Sequence, residues 1–100
     1  MLDHAREAVG LVEGLSRKSL DENRVRTLAL VQLAQIVGEA ARRVSPVFRE
    51  SHSEIEWTQI IALRNRLIHG YDAINLDILW QILTGDFPGL IAKLERVLPH

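Results

Sequence analysis

The stretch that decides the fold is residues 22–44, which read ENRVRTLALVQLAQIVGEAARRV. Its apolar residues recur three and four positions apart, the spacing of a helix with a wide buried face; they are Val25, Leu28, Ala29, Leu33, Ile36, Val37, Ala40, Ala41 and Val44, joined by Leu30 and Val31. We therefore expect this second helix to be the most buried element. Gly38 is expected to mark a close approach of another helix, because glycine inside a helix costs about 1 kcal/mol against alanine.

The same helix carries a narrow polar strip: Gln32, Gln35, Glu39 and Arg42. This strip either faces solvent or forms one wall of a site. Ser19 or Asp21 is expected to cap the helix at its start, since both residues can accept a bond from a free backbone amide. The helix should end at Ser45-Pro46, because the residue before proline is disfavoured in the helical conformation.

Amphipathic segments precede and follow this helix. Residues 2–16 predict a first helix, and residues 54–68 predict a third with Trp57 in the core. Between the second and third helices, residues 45–53 predict a loop with one short helical turn at residues 47–49.

The start of the third helix is marked by serine and glutamate at capping-box spacing. Ser53 and Glu56 match this motif, and Ser51 and Glu54 match it as well. We assign Glu54 and Glu56 to helix capping rather than to a catalytic pair of carboxylates.

The remainder of the chain predicts further helices. Asn75 is a plausible cap for a fourth helix, and residues 84–88 interrupt it, with Asp86 as a candidate new cap. Residues 90–98 complete a final helical segment, and no β pattern is visible. The fold class is therefore all-α, an antiparallel bundle of four to five helices in one domain over residues 1–100.

Composition limits the possible functions. The chain has no cysteine, which excludes disulfides and thiol chemistry, and it has no apolar run of about 18 residues, so we expect no membrane segment and a cytoplasmic location. The formal net charge of −1 and the pI of about 6.4 argue against a broad electrostatic surface for nucleic acid. Any RNA contact is therefore expected to be local.

The candidate chemistry lies in Arg64-Asn65-Arg66-Leu67-Ile68-His69-Gly70-Tyr71. Gly70 predicts a helix stop, which places His69 at a helix end. Arg64 and His69 are five positions apart, so on a straight helix their side chains point roughly 140° away from each other. They converge only if the helix ends between them, or if a second copy of the chain supplies the missing partner across a two-fold axis.

Histidine and arginine together suit RNA cleavage without a metal. Histidine can remove the proton of the 2′-hydroxyl and protonate the leaving 5′-oxygen, while arginine compensates the charge that builds on phosphorus. Two histidines from two protomers would supply both proton transfers. From spacing alone, however, a structural role is the commoner one for a lone histidine near an arginine.

The motif Arg64-x4-His69-x-Tyr71, with Asn65 directly after the arginine, resembles the signature of the HEPN superfamily and specifically of its HepT-like branch. The resemblance extends in order and spacing over much of the chain: residues 38–41, 57–71, 76–80 and 86–88. It implies a helical bundle that forms a two-fold symmetric homodimer, so that the signature residues of both protomers line one cleft.

The resemblance also implies a function. HepT-like proteins are metal-independent endoribonuclease toxins of type VII-like toxin–antitoxin systems, with a minimal nucleotidyltransferase as antitoxin, so no cofactor and no metal site are expected. Carried over by position, Arg64 and His69 form the catalytic pair, Asn65 supports them, and Tyr71 is the residue to which the partner adds AMP. A partly buried ring with a bonded hydroxyl is the other reading of Tyr71.

Two further arginines, Arg66 and Arg42, are candidate RNA contacts. An alternative function from a different class also remains open. In that alternative, the chain is a non-catalytic helical subunit that presents substrate or nucleotide to a minimal nucleotidyltransferase.

Overall fold

The computed structural model describes residues 1–69 and 73–98, and of His69 only the backbone. These ranges contain helices, short connections and one pair of two-residue strands: α1 (Leu2–Val12), α2 (Ser19–Glu22), α3 (Arg24–Arg42), α4 (Pro46–Ser51), α5 (Trp57–Ile61), α6 (Leu63–Leu67), β1 (Ile68–His69), β2 (Ala73–Ile74), α7 (Leu76–Gln81), a π-helical turn (Ile82–Asp86) and α8 (Phe87–Val97). The all-α class is confirmed. The bundle of four to five helices and its two-fold dimer stay predictions. In the described ranges, no helix has both the length and the apolar character needed to cross a membrane.

α3 lies at the centre of the fold, with α1, α2, α5 and α6 packed against it. It buries more residues than any other described helix: Thr27, Leu30, Val31, Leu33, Ala34, Val37, Gly38 and Ala41. The predicted close approach at Gly38 is confirmed, because a Cβ added there would lie 3.0 Å from the carbonyl oxygen of Ile60 in α5.

The first turns of α3 depart from the predicted buried stripe. Val25 is 80% exposed and Leu28 is 42% exposed, and Ala29 is exposed as well, so the predicted burial of these three residues is wrong. The apolar residues at this end of α3 point to several sides of the helix, and the spacing alone does not show which of them face the core. The core face instead includes Thr27, whose hydroxyl donates a 2.7 Å hydrogen bond to the carbonyl of Leu20.

The cap of α3 also differs from the prediction of Ser19 or Asp21. The side chain of Asn23 accepts a 2.9 Å hydrogen bond from the backbone N–H of Arg26, and Asn23 has the extended backbone of a capping residue. Ser19 instead begins the short helix α2. Asp21 lies in that same helix, where its carboxylate accepts a hydrogen bond from Arg17.

Two helix boundaries differ in length from the prediction. α1 ends at Val12, short of residue 16, because Gly14 adopts a left-handed φ of 76° that turns the chain. α4 spans Pro46–Ser51, which is longer than the single turn expected there, and the side chain of Ser45 caps it by accepting from the N–H of Phe48.

The predicted third helix is two helices. α5 and α6 are separated at Ala62, where the backbone leaves the α-helical conformation. Neither predicted capping box is formed, since no side chain caps α5; the pairs Ser53–Glu56 and Ser51–Glu54 were therefore assigned wrongly. The chain enters α5 through the buried Ile55, and the indole N–H of Trp57 donates to the carbonyl of His52. Trp57 is confirmed as a core residue.

The chain after α6 forms a small antiparallel strand pair. Ile68 pairs with Ile74 and His69 with Ala73. The prediction that the third helix reaches residue 68 is therefore wrong, and so is the prediction that the chain has no β structure. Strands of two residues are too short to show the alternation by which a strand is recognised in sequence. The predicted helix stop Gly70 lies outside the described residues.

The last third of the chain confirms one predicted cap and contradicts another. Asn75 caps α7, because its side chain accepts a 3.0 Å hydrogen bond from the N–H of Ile78. Asp86 caps nothing, since the π-helical turn leads into α8 without an interruption and no side chain caps α8. The carboxylate of Asp86 binds Arg66 instead.

Candidate functional site

A polar groove of about 380 Å³ lies where α3 faces α5, α6 and β1. We call it the site groove; its lining consists of Glu39, Arg42, Ile61, Arg64, Asn65 and Ile68. Three predicted site residues are therefore brought together: Arg64, Asn65 and Arg42. Glu39 was not among the predicted site residues, although it belongs to the polar strip that was expected either to face solvent or to form one wall of a site.

The packing of α6 explains why Arg64 and Asn65 face the groove. Leu63 and Leu67 are four positions apart and both are buried, which fixes one side of this short helix against the core. At about 100° per residue, the next two side chains turn away from that side. Both Arg64 and Asn65 are accordingly exposed.

α6 ends between the two residues of the predicted catalytic pair. Its last residue is Leu67, and Ile68 already has an extended backbone, with φ −111° and ψ 119°. The first of the two conditions for convergence of Arg64 and His69 is therefore met within one chain. The side chain of His69 and all of Tyr71 lie outside the described residues, so their predicted roles stay predictions.

Arg42 and Arg66 have different surroundings. Nε of Arg42 lies 4.0 Å from Oε1 of Glu39, and both side chains are more than half exposed. Arg66 follows Arg64 and Asn65 on α6. Its Nη1 donates a 3.0 Å hydrogen bond to Oδ2 of Asp86. Arg66 does not line the site groove. Its predicted RNA contact stays a prediction.

The charges of the site groove suit an anion. Its lining includes two guanidinium groups, from Arg42 and Arg64, and one carboxylate, from Glu39. The planar donor fork of arginine matches the oxygens of a phosphate group, and the amide of Asn65 adds both a donor and an acceptor. The described residues include no group of three His, Asp or Glu side chains that are close enough to share a metal ion.

Comparisons with known proteins give a consistent assignment. A family model described as ribonuclease HepT-like matches residues 1–97. A protein of Caldanaerobacter subterraneus subsp. tengcongensis, provisionally named an RNase, is 33% identical over 87% of this chain and 78% of its own length. A Thermococcus cleftensis protein named "Probable ribonuclease HepT" is 29% identical over 96% of this chain and 91% of its own.

A third relative extends the same picture. A protein of Methanocaldococcus jannaschii, also provisionally named an RNase, is 29% identical over 97% of this chain and 89% of its own length. No solved structure matches the chain.

Proposed function

Since the chain belongs to the HepT-like ribonuclease family, we propose that it is an endoribonuclease that cleaves RNA in the site groove without a metal ion. The names of its relatives support the choice of RNA as substrate. The arginines and the amide that line the groove support the choice of a phosphodiester as the group that binds there.

The observation that carries this proposal is the end of α6 between Arg64 and His69. In the proposed reaction, the imidazole of His69 removes the proton of the ribose 2′-hydroxyl. The 2′-oxygen then attacks phosphorus, the bond from phosphorus to the 5′-oxygen breaks, and the products carry a 2′,3′-cyclic phosphate and a 5′-hydroxyl. Arg64 compensates the charge that develops on the phosphoryl oxygens, and Asn65 helps to orient them.

The leaving 5′-oxygen needs a proton from a second group. Of the histidines whose side chains the structure describes, neither His4 nor His52 lines the site groove. We assign this role to the His69 of a second copy related by a two-fold axis, because His69 is the histidine of the motif. The homodimer is tested by sedimentation at micromolar concentration. A single species of 11.3 kDa would contradict the two-fold site.

We also assign the chain to a toxin–antitoxin pair whose antitoxin is a minimal nucleotidyltransferase that adds AMP to Tyr71. The position of Tyr71, two residues after His69, supports this assignment, because a phosphate added there would bring negative charge to the proposed catalytic pair. Mass spectrometry after coexpression with the partner tests it. An adduct on any other residue would remove the role given to Tyr71.

The catalytic role of His69 is tested by comparing the wild type with His69→Ala on labelled RNA. We expect a loss of cleavage of at least about 100-fold, since a positioned general base contributes about 10²–10⁴-fold. His52→Ala is the matched control, because His52 lies outside the site groove, and circular dichroism checks that both variants fold. Equal cleavage by His69→Ala and the wild type would contradict the mechanism. No cleavage by the wild type of any RNA, including tRNA, would favour a non-catalytic binding subunit.

A further inference from the structure

A second groove adjoins the site groove along α3. It has a volume of about 430 Å³ and lies between α3 and the first turn of α1; its polar side chains are His4, Gln32, Gln35, Glu39 and Arg43. We call it the amide groove. Glu39 lines both grooves, so a ligand that extends beyond the site groove past Glu39 enters the amide groove.

Both glutamines present their side chains to this groove. Gln35 is half-buried and Gln32 is exposed, and among residues 1–69 and 73–98 no hydrogen bond uses either side-chain amide. A side-chain amide offers two donor hydrogens and an acceptor oxygen, and both amides line this groove, where a ligand can reach them. Because the two glutamines lie beside the site groove, a further part of the same RNA substrate is the ligand that they are best placed to bind.

The spacing of these residues along α3 fits one nucleotide beside the scissile phosphate. Gln32, Gln35 and Glu39 lie three and four positions apart and therefore share one face, and Gln32 is about 10 Å from Glu39 along the helix axis. Arg43 at the end of the groove supplies a cation for a phosphate. The amides and the carboxylate suit the donor and acceptor edge of an unpaired base.

We propose that the amide groove is a second RNA subsite, which holds the nucleotide next to the cleaved bond and reads its base through Gln32 and Gln35. This inference rests on the proposed function, because it assigns a further part of the same substrate. It predicts that the protein prefers single-stranded RNA, since the Watson–Crick edge of a base is free only there. It also predicts a base preference at the flanking position.

The test measures binding and cleavage separately. Binding uses fluorescently labelled 2′-O-methyl oligonucleotides of adenylate, cytidylate or uridylate, which lack the 2′ nucleophile and so stay intact. We expect the double variant Gln32→Ala/Gln35→Ala to bind the preferred oligonucleotide about tenfold more weakly than the wild type and to lose the difference between bases. Gln81→Ala is the matched control, because Gln81 is an exposed glutamine on α7 that lines neither groove.

The kcat for RNA cleavage provides the internal reference. The amide groove holds a flanking nucleotide and none of the reacting atoms, so kcat should be the same in the wild type and the double variant, while KM for RNA should rise about tenfold in the variant. If the wild type cleaves RNA but the variant shows unchanged affinity and base preference, the subsite is overturned and the proposed function stands. A wild type that neither binds nor cleaves RNA overturns both.

The amide groove has one competing occupant, a second copy of the chain. In that case Gln32→Ala/Gln35→Ala would change the sedimenting mass, whereas the RNA subsite predicts an unchanged mass. A changed mass would assign the groove to an interface between copies and overturn the subsite.

Discussion

Replacing Arg66 with alanine removes the ion pair that joins α6 to the π-helical turn. In the structure, Nη1 of Arg66 lies 3.0 Å from Oδ2 of Asp86, and the two side chains are 25% and 31% exposed. Exposed ion pairs contribute about 0.2–1 kcal/mol, whereas hydrogen bonds to charged groups contribute about 1.5–3 kcal/mol. Because this pair is partly shielded from water, we expect Arg66→Ala to lower the free energy of unfolding by about 1–2 kcal/mol. In a chain of this size, that loss lowers Tm by about 5–15 °C.

Urea unfolding followed by circular dichroism measures this effect, and a double-mutant cycle with Asp86→Ala isolates the coupling between the two side chains. The pair Arg6–Glu95 is a matched control. Its Nη2 to Oε1 distance is 2.8 Å, but its side chains are 49% and 42% exposed, so its coupling energy should be smaller. If the coupling energy between Arg66 and Asp86 does not exceed that between Arg6 and Glu95, the inference that partial burial strengthens the Arg66–Asp86 ion pair is refuted.

Three further variants test the packing, a cap and the site. Gly38→Ala should lower the free energy of unfolding by about 1–3 kcal/mol in urea unfolding, because its Cβ would lie 3.0 Å from the backbone of Ile60; Gly10→Ala, whose Cβ meets nothing within 4 Å, should be neutral or stabilising. Asn75→Ala should cost about 1 kcal/mol through loss of the cap, and Asn75→Asp should restore it. Arg64→Lys should reduce cleavage at least about tenfold through loss of the planar fork, with Tm nearly unchanged because Arg64 is exposed; equal activity would contradict its role.

The features predicted correctly from sequence are those that depend on a long repeating pattern or on a local rule. The central position of α3 follows from its apolar stripe over several turns, and the cap at Asn75 follows from the chemistry of one side chain and a nearby amide. Gly38 was informative because glycine is unfavourable inside a helix unless another element approaches closely.

The features predicted wrongly depend on contacts between distant residues or on very short elements. Ser53 and Glu56 match a capping box, but burial of Ile55 and the bond from Trp57 to the backbone of His52 direct the chain into a turn instead. Asp86 is of a residue type that commonly caps helices, but its partner is Arg66, which lies 20 positions earlier in the chain. No local pattern contains that information.

The site was only partly predictable, because a local motif shows some of its residues and contacts between distant residues bring in the others. The local motif identified Arg64 and Asn65 as neighbours at a helix end, and both line the site groove. Glu39 joins them only because α3 packs beside α6. From the sequence, its polar strip could equally face solvent or form a wall of the site. Arg66 shows the converse, since its basic side chain within the motif is directed to Asp86.

In the proposed mechanism, protein side chains alone cleave RNA at the site groove. The most direct test is cleavage of a labelled RNA by purified protein in excess EDTA, followed by identification of the product ends. We expect undiminished cleavage with 2′,3′-cyclic phosphate and 5′-hydroxyl ends, because the 2′-oxygen is the nucleophile. Cleavage that EDTA abolishes, or products with 5′-phosphate ends, would contradict this mechanism.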